Sequence, residues 1–167
     1  GHIAVANSNL NRLKSAHLID SLARKFLKKH GLDYPHGTGH GVGYFLNVHE
    51  GPIAISKGYK IKLKPGNVIS NEPGFYKKGK FGIRIENMIY VKQIKNRVFF
   101  ENLTMVPIDK ELINFNLLNR NEKNYLLNYN LRIYSNVEKY LNYKEKFWLL
   151  SQFWNFFKIW LVQYLYF

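Results

Sequence analysis

Along the chain, Ile19, Leu22, Ala23, Phe26 and Leu27 recur at three- and four-residue spacing, the signature of one apolar helical face. Ser15 stands where an N-cap is expected and Gly31 where a left-handed C′ residue is expected. Lys28, Lys29 and His30 suit the negative end of the helix dipole. The pattern therefore predicts an amphipathic helix over the stretch SAHLIDSLARKFLKKHG. From residue 36 to 108 the spacing changes to short alternating runs divided by Gly and Pro, and YFLNVH, NVISNEP, FGIRIENMIYV and RVFFENLTMVPI read as strands.

After Asp109 the helical pattern returns. Asn119 and Glu122 have the spacing of a capping box opening a helix that runs to about Leu141, and KEKFWLL begins another. Helix, then sheet, then helices is an α+β arrangement, with residues 1–108 forming one part and 109–167 a helical second part. The last stretch, FWLLSQFWNFFKIWLVQYLYF, holds ten aromatics in 21 residues. Ser151, Gln152, Asn155, Lys158 and Gln163 interrupt it, so packing on the domain or a second subunit fits better than a membrane span, with membrane contact of this tail as the lesser reading.

Bulk composition narrows the classes. The 167 residues suffice for a core without disulfides, and the absence of cysteine rules out a thiolate metal site. The first residue is Gly and no basic-then-apolar leader follows it, so the N-terminus reads as a cut edge. The formal charge of +14 raises the question of nucleic acid. The lysines are spread thinly, however, and no nucleic-acid motif accompanies them. Nineteen Asn, twelve Tyr and twelve Phe against five Ala point instead to compositional drift and a generic basic surface.

The chemistry concentrates in HGTGHGVGYFLNVHEGP, residues 36 to 52. Its glycines do not follow the dinucleotide spacing, and no helix N-terminus follows to receive a phosphate, so a phosphate cradle fails. Four glycines in eight residues also disfavour a helix carrying His36 and His40 to one ion. In an extended chain these two histidines lie roughly 13 Å apart. One of them would be a ligand and the other would face a substrate or lie behind the ligand. His2, His17 and His30 read as structural or surface histidines. Alternating glycines beside a histidine point to a close backbone approach to a ligand.

Two carboxylates sharpen this picture. Glu72 and Glu86 are fourteen residues apart with Gly79 midway, so a hairpin turning at Gly79 sets them opposite each other. Along IRIENMIY, Ile83, Ile85 and Ile89 alternate with Arg84, Glu86 and Met88. Facing carboxylates repel unless a cation or proton compensates. The competing reading is a solvent-facing pair beside Arg84 and nearby lysines. Histidine nitrogen with carboxylate oxygens suits zinc, manganese, cobalt or iron better than calcium.

Three blocks in order, GLDYPHGTGHGVGYFLNVHEGP, GNVISNEPGFY and KFGIRIENMIYV, closely resemble the aminopeptidase P (Xaa-Pro aminopeptidase) family of two-metal peptidases, of the eukaryotic cytosolic type. The likeness runs from GHIAV to about residue 150, and the final residues fall outside it. It implies the C-terminal half of a pita-bread catalytic domain, a helical tail, and removal of an N-terminal residue that precedes proline. It implies His40 as a metal ligand, Glu72 as ligand and general base, and Glu86 as the carboxylate shared by two divalent ions, usually manganese, with zinc or cobalt also accepted. His36 and His49 would contact substrate, His49 aiding the tetrahedral intermediate, with Arg84 either behind the ligands or on the substrate side. Homodimer formation and a cytoplasmic location are further implications.

The family's site has two more ligands, aspartates upstream of HGTGH. The chain's three aspartates, Asp20, Asp33 and Asp109, do not match them. The expectation is thus an incomplete fragment holding three of five ligands, with apolar faces and strand edges uncovered. The alternative is a non-catalytic pita-bread binding module, which would have no need to keep His40, Glu72 and Glu86.

Overall fold

The computed structural model describes residues 1–153 apart from Lys14 and Leu46; positions 154–167, with most of the aromatic tail, lie outside the described residues. Two compact units divide at Thr104 and Met105.

The first unit opens with a short helix α1 (His2–Ala6) and then α2 (Ala16–Lys28). Ser15 is the N-cap of α2 in extended geometry, but its hydroxyl engages His17 Nδ1 at 3.0 Å instead of a helix amide. Gly31 takes a positive φ of 69° just beyond the helix end, as the pattern requires. Ile19 and Ala23 are buried on the apolar face, whereas Phe26 is 40% exposed.

Seven strands follow among the described residues: β1 (Gly39–His40), β2 (Ala54–Ile55), β3 (Val68–Asn71), β4 (Gly74–Lys77), β5 (Phe81–Arg84), β6 (Asn87–Ile94) and β7 (Arg97–Asn102). All described pairings are antiparallel: β1 with β2, β4 with β5, and β3–β6–β7 as a three-stranded sheet, with a bridge from Gly41 to Ile69 tying β1 to β3. Along β6 the burial alternates, with Asn87, Ile89 and Val91 inward. Val5, Leu10, Ile19, Ala23, Ile55, Ile69, Ile89, Val91 and Phe100 form one core between the helices and this sheet.

Three strand expectations need correction. The described residues of YFLNVH form no strand: Gly43 N–H donates to Asn47 O at 2.8 Å, and the flanking Glu50 N–H donates to Gly41 O at 2.9 Å. Tyr44 and Phe45 are left 100% and 82% exposed. FGIRIENMIYV is two strands rather than one, interrupted at Ile85 and Glu86. RVFFENLTMVPI stops as a strand at Asn102, where the Met88 amide is taken by Thr104 Oγ1 at 2.8 Å and the Met88 carbonyl by Leu103 N–H at 2.8 Å.

The second unit holds α3 (Arg120–Val137) and α4 (Tyr143–Ser151). Asn119 and Glu122 form the expected reciprocal capping box, and Asn142 with Glu145 repeats it at α4. Leu126, Leu127, Tyr129, Ile133, Leu149 and Phe153 are buried.

Candidate metal centre

The centre is built by one long antiparallel register. In the β4–β5 ribbon Gly74 pairs with Arg84 and Phe75 with Ile83, turning near Gly79, whose φ is 69°. In the β3–β6 pair Asn71 faces Asn87 and Val68 faces Tyr90. Every one of these pairs sums to the same value, so the register runs unbroken through the gap between the two ladders. Glu72 and Glu86 occupy facing positions in that gap, as the spacing about Gly79 predicts. With His40 they form a cluster whose ligand atoms lie within 4.8 Å of one another.

His40 arrives from the short strand β1, whose amide donates to Ser70 Oγ at 2.9 Å. Gly39 permits this approach, since a Cβ there would stand 2.0 Å from the Ser70 carbonyl oxygen. His40 Nδ1 lies 2.9 Å from the Gly41 carbonyl and Nε2 lies 3.2 Å from Glu72 Oε1. Both nitrogens thus face acceptors. With Nδ1–H given to the carbonyl, Nε2 meets a carboxylate, a contact that is favourable only with a proton or metal ion between them. The donor set therefore fits a divalent cation, with imidazole orientation fixed by a backbone carbonyl as metal-binding histidines require.

Glu72 is nearly buried, with 12% of its side chain exposed. Ser70 Oγ donates to its Oε1 at 2.9 Å, and Arg84 Nη1 stands 3.8 Å from its Oε2. Glu86 is exposed. His49 lies on the exposed loop, its ring centroid 4.1 Å from that of His40.

His36 is four residues away from His40 and does not join the cluster. Its Nδ1 faces the Gly37 carbonyl at 2.7 Å, and its Nε2 faces Tyr76 Oη at 2.7 Å. Tyr76 in turn accepts from Arg84 Nε at 2.9 Å. That bond is the main cause that raises the Arg84 pKa, with Glu72 and Glu86 adding smaller contributions. Tyr76 and Ser70 are therefore site residues that the sequence pattern does not single out. The available signal for Tyr76 was its register: it pairs with Gly82, whose missing side chain leaves room for the ring.

None of the three aspartates reaches the cluster. Asp20 and Asp33 pair with Arg24, and the Asp109 carboxylate accepts from the Glu111 amide at 3.0 Å.

Comparison with known proteins gives the family. Residues 6–93 match metallopeptidase family M24, and residues 97–153 match the C-terminal region of peptidase M24. The chain belongs to metallopeptidase family M24. Within it, the chain is 47% identical over 151 residues to the probable Xaa-Pro aminopeptidase P of Fusarium vanettenii, covering 84% of this chain and 24% of that protein. The corresponding protein of Botryotinia fuckeliana is 48% identical over 156 residues, covering 87% and 24%. Among solved structures, the X-prolyl aminopeptidase of Caenorhabditis elegans, described as a cytosolic enzyme with a di-nuclear active site, superposes with a TM-score of 0.82 at 38% identity, covering 90% of this chain and 26% of that one. The X-Pro aminopeptidase of Thermotoga maritima gives 0.53 at 37% identity, covering 64% and 28%. The chain spans about a quarter of the length of these relatives. The expected fold, α+β and matching the C-terminal part of the pita-bread domain, is borne out. No described helix is long and apolar enough to cross a membrane.

Proposed function

We propose that the chain carries the His40, Glu72 and Glu86 side of a two-metal Xaa-Pro aminopeptidase centre that releases an N-terminal residue preceding proline. The observation that carries this reading is the convergence of those three side chains, with ligand atoms within 4.8 Å, at one break in a continuous hairpin register. His40, Glu72 and Glu86 would hold the ions, with Glu86 as the shared carboxylate. Two divalent ions, manganese in preference to zinc or cobalt, would supply Lewis acidity to the scissile carbonyl and the attacking water.

The chain's own residues do the rest. Glu72 accepts the proton of the attacking water, and the Ser70 hydroxyl holds its Oε1 so that the carboxylate keeps one orientation. His49, beside the His40 ring, donates to the oxygen that gains charge as the carbonyl carbon becomes tetrahedral. His36 and Arg84, joined through Tyr76, lie on the side of the site where the peptide would bind. Peptides with proline second are the substrates, a homodimer the assembly, and the cytoplasm the location; no specific nucleic acid is a partner.

The test is release of arginine from Arg-Pro-Pro by the longest natural polypeptide containing this sequence, with Arg-Ala-Ala as control. Manganese-dependent release from the proline peptide alone, lost in Glu72→Gln, is expected. Equal release from both peptides, or release that survives Glu72→Gln, contradicts the reading.

A further inference from the structure

The irregular strip Asp33–Thr38, which leads into the centre, has no strand or helix to hold its backbone. One side chain of α2 does so instead. Arg24 is only 6% exposed, and its guanidinium spends its donors on this strip. Nη1 donates to Asp33 Oδ1 and to the Tyr34 carbonyl, both at 2.8 Å, and Nη2 donates to the His36 carbonyl at 2.5 Å. The cation also lies over the Tyr34 ring, 4.0 Å from its centroid. Nε is fixed by Asp20 Oδ2 at 2.8 Å.

The other oxygen of Asp20 reaches the far end of the strip. Thr38 Oγ1 donates to Asp20 Oδ1 at 2.6 Å, and Thr38 Oγ1 also bonds the Tyr34 hydroxyl. Thr38 is fully buried, and its carbonyl accepts the backbone N–H of Glu72 at 2.8 Å. The pair of α2 residues therefore grips the segment on both sides of His36, and the grip ends on the backbone of a cluster carboxylate. Burial opposes the charge on Arg24, but the bonds to Asp20 and Asp33 outweigh it and its pKa stays raised, so the fork is charged whenever the fold exists.

We propose that Arg24, oriented by Asp20, is a positioning residue for the site: it sets the His36 imidazole in its Nδ1-protonated form facing Tyr76 and fixes the Thr38 carbonyl that holds Glu72. The tautomer follows from the contacts, because the Gly37 carbonyl can only accept from Nδ1, which leaves Nε2 to accept from Tyr76. A lysine at position 24 would keep the charge beside Asp20 but could not span the Tyr34 and His36 carbonyls with a planar fork. The catalytic consequence rests on the peptidase reading; the positioning itself does not.

The experiment reads the imidazoles directly on the 15N-labelled chain, without metal or substrate, by two-bond proton–nitrogen correlation at about pH 8, where an ordinary histidine is neutral. In the unsubstituted chain His36 is expected to show the Nδ1-protonated pattern. In Arg24→Lys that population falls by about half or more, while the exposed His30 is unchanged. Asp33→Asn provides a second variant that folds irrespective of the first, since the Asp33 side chain is 47% exposed, and it is expected to shift His36 in the same direction by less. An unaltered His36 pattern in Asp33→Asn together with an unaltered pattern in folded Arg24→Lys overturns the proposal; if Arg24→Lys does not fold, the Asp33→Asn result alone decides. Failure of peptide cleavage would leave these spectra unaffected, so the two readings fail separately.

Discussion

Glu72 and Glu86 face each other where a single antiparallel register passes from the β4–β5 ribbon to the β3–β6 pair. Two carboxylates so placed repel, and the arrangement is one in which a binding site is held at the expense of stability. Glu86→Gln is therefore expected to act in opposite directions. It should raise the unfolding free energy of the metal-free chain by up to about 1 kcal/mol, read from urea midpoints. It should also weaken manganese binding by at least about 10-fold, read by calorimetry. A loss of both would mean that Glu86 serves the fold.

Tyr76→Phe separates binding of the ion from handling of the peptide. The residue is 37% exposed, so stability is expected to change by less than about 0.5 kcal/mol. His36 Nε2 and Arg84 Nε each lose a partner, while His40, Glu72 and Glu86 are untouched. Manganese affinity should hold and kcat/KM for Arg-Pro-Pro, in the longest natural polypeptide, should fall by about 10-fold or more. A parallel fall in metal affinity would contradict this division of roles.

Gly39→Ala tests the close approach that brings His40 in. The new Cβ would stand 2.0 Å from the backbone oxygen of Ser70, which no rotamer change relieves. A loss of about 1–3 kcal/mol is expected, since strand β1 must move away from β3. Metal affinity should fall with it, because the His40 amide is bonded to Ser70 Oγ across the same contact. A variant of unchanged stability would show that the approach is looser than these distances indicate.

The parts of this site that could be read in the sequence are those fixed by local rules. Gly79 and the equal spacing of Glu72 and Glu86 about it gave the hairpin, because antiparallel register depends only on counting from a turn. The Asn119–Glu122 box gave the start of α3 for a similarly local reason. What could not be read depends on tertiary contacts. YFLNVH has strand composition, but the backbone of Gly43 and Asn47 and of Gly41 and Glu50 closes around it. Asp20 and Asp33 read only as unmatched carboxylates, and nothing local indicates that both converge on Arg24. Tyr76 reads as an ordinary strand residue until the hairpin sets it beside His36.

Buried His2 makes stability pH-dependent. Burial is the main cause that lowers its pKa from 6.5 to about 4, and nearby backbone groups of Ile85 and Asn71 oppose it. Among the described residues neither ring nitrogen meets a hydrogen-bond partner of normal geometry. The unfolded chain takes up the proton first, so the contribution is complete above pH 6.5 and is lost progressively as pH falls to about 4. The gap corresponds to about 3 kcal/mol. Urea midpoints of the unsubstituted chain should fall over that window more steeply than those of His2→Leu; identical slopes would contradict the assignment.

The most direct test of the centre is a manganese titration of the 167-residue chain by calorimetry, repeated with His40→Ala and Glu72→Gln. The account predicts weak binding of one ion that each substitution abolishes, with no change in the far-ultraviolet circular dichroism of the free chain. Binding that persists unchanged in both variants would place the ion elsewhere and contradict the assignment of His40, Glu72 and Glu86 as its ligands.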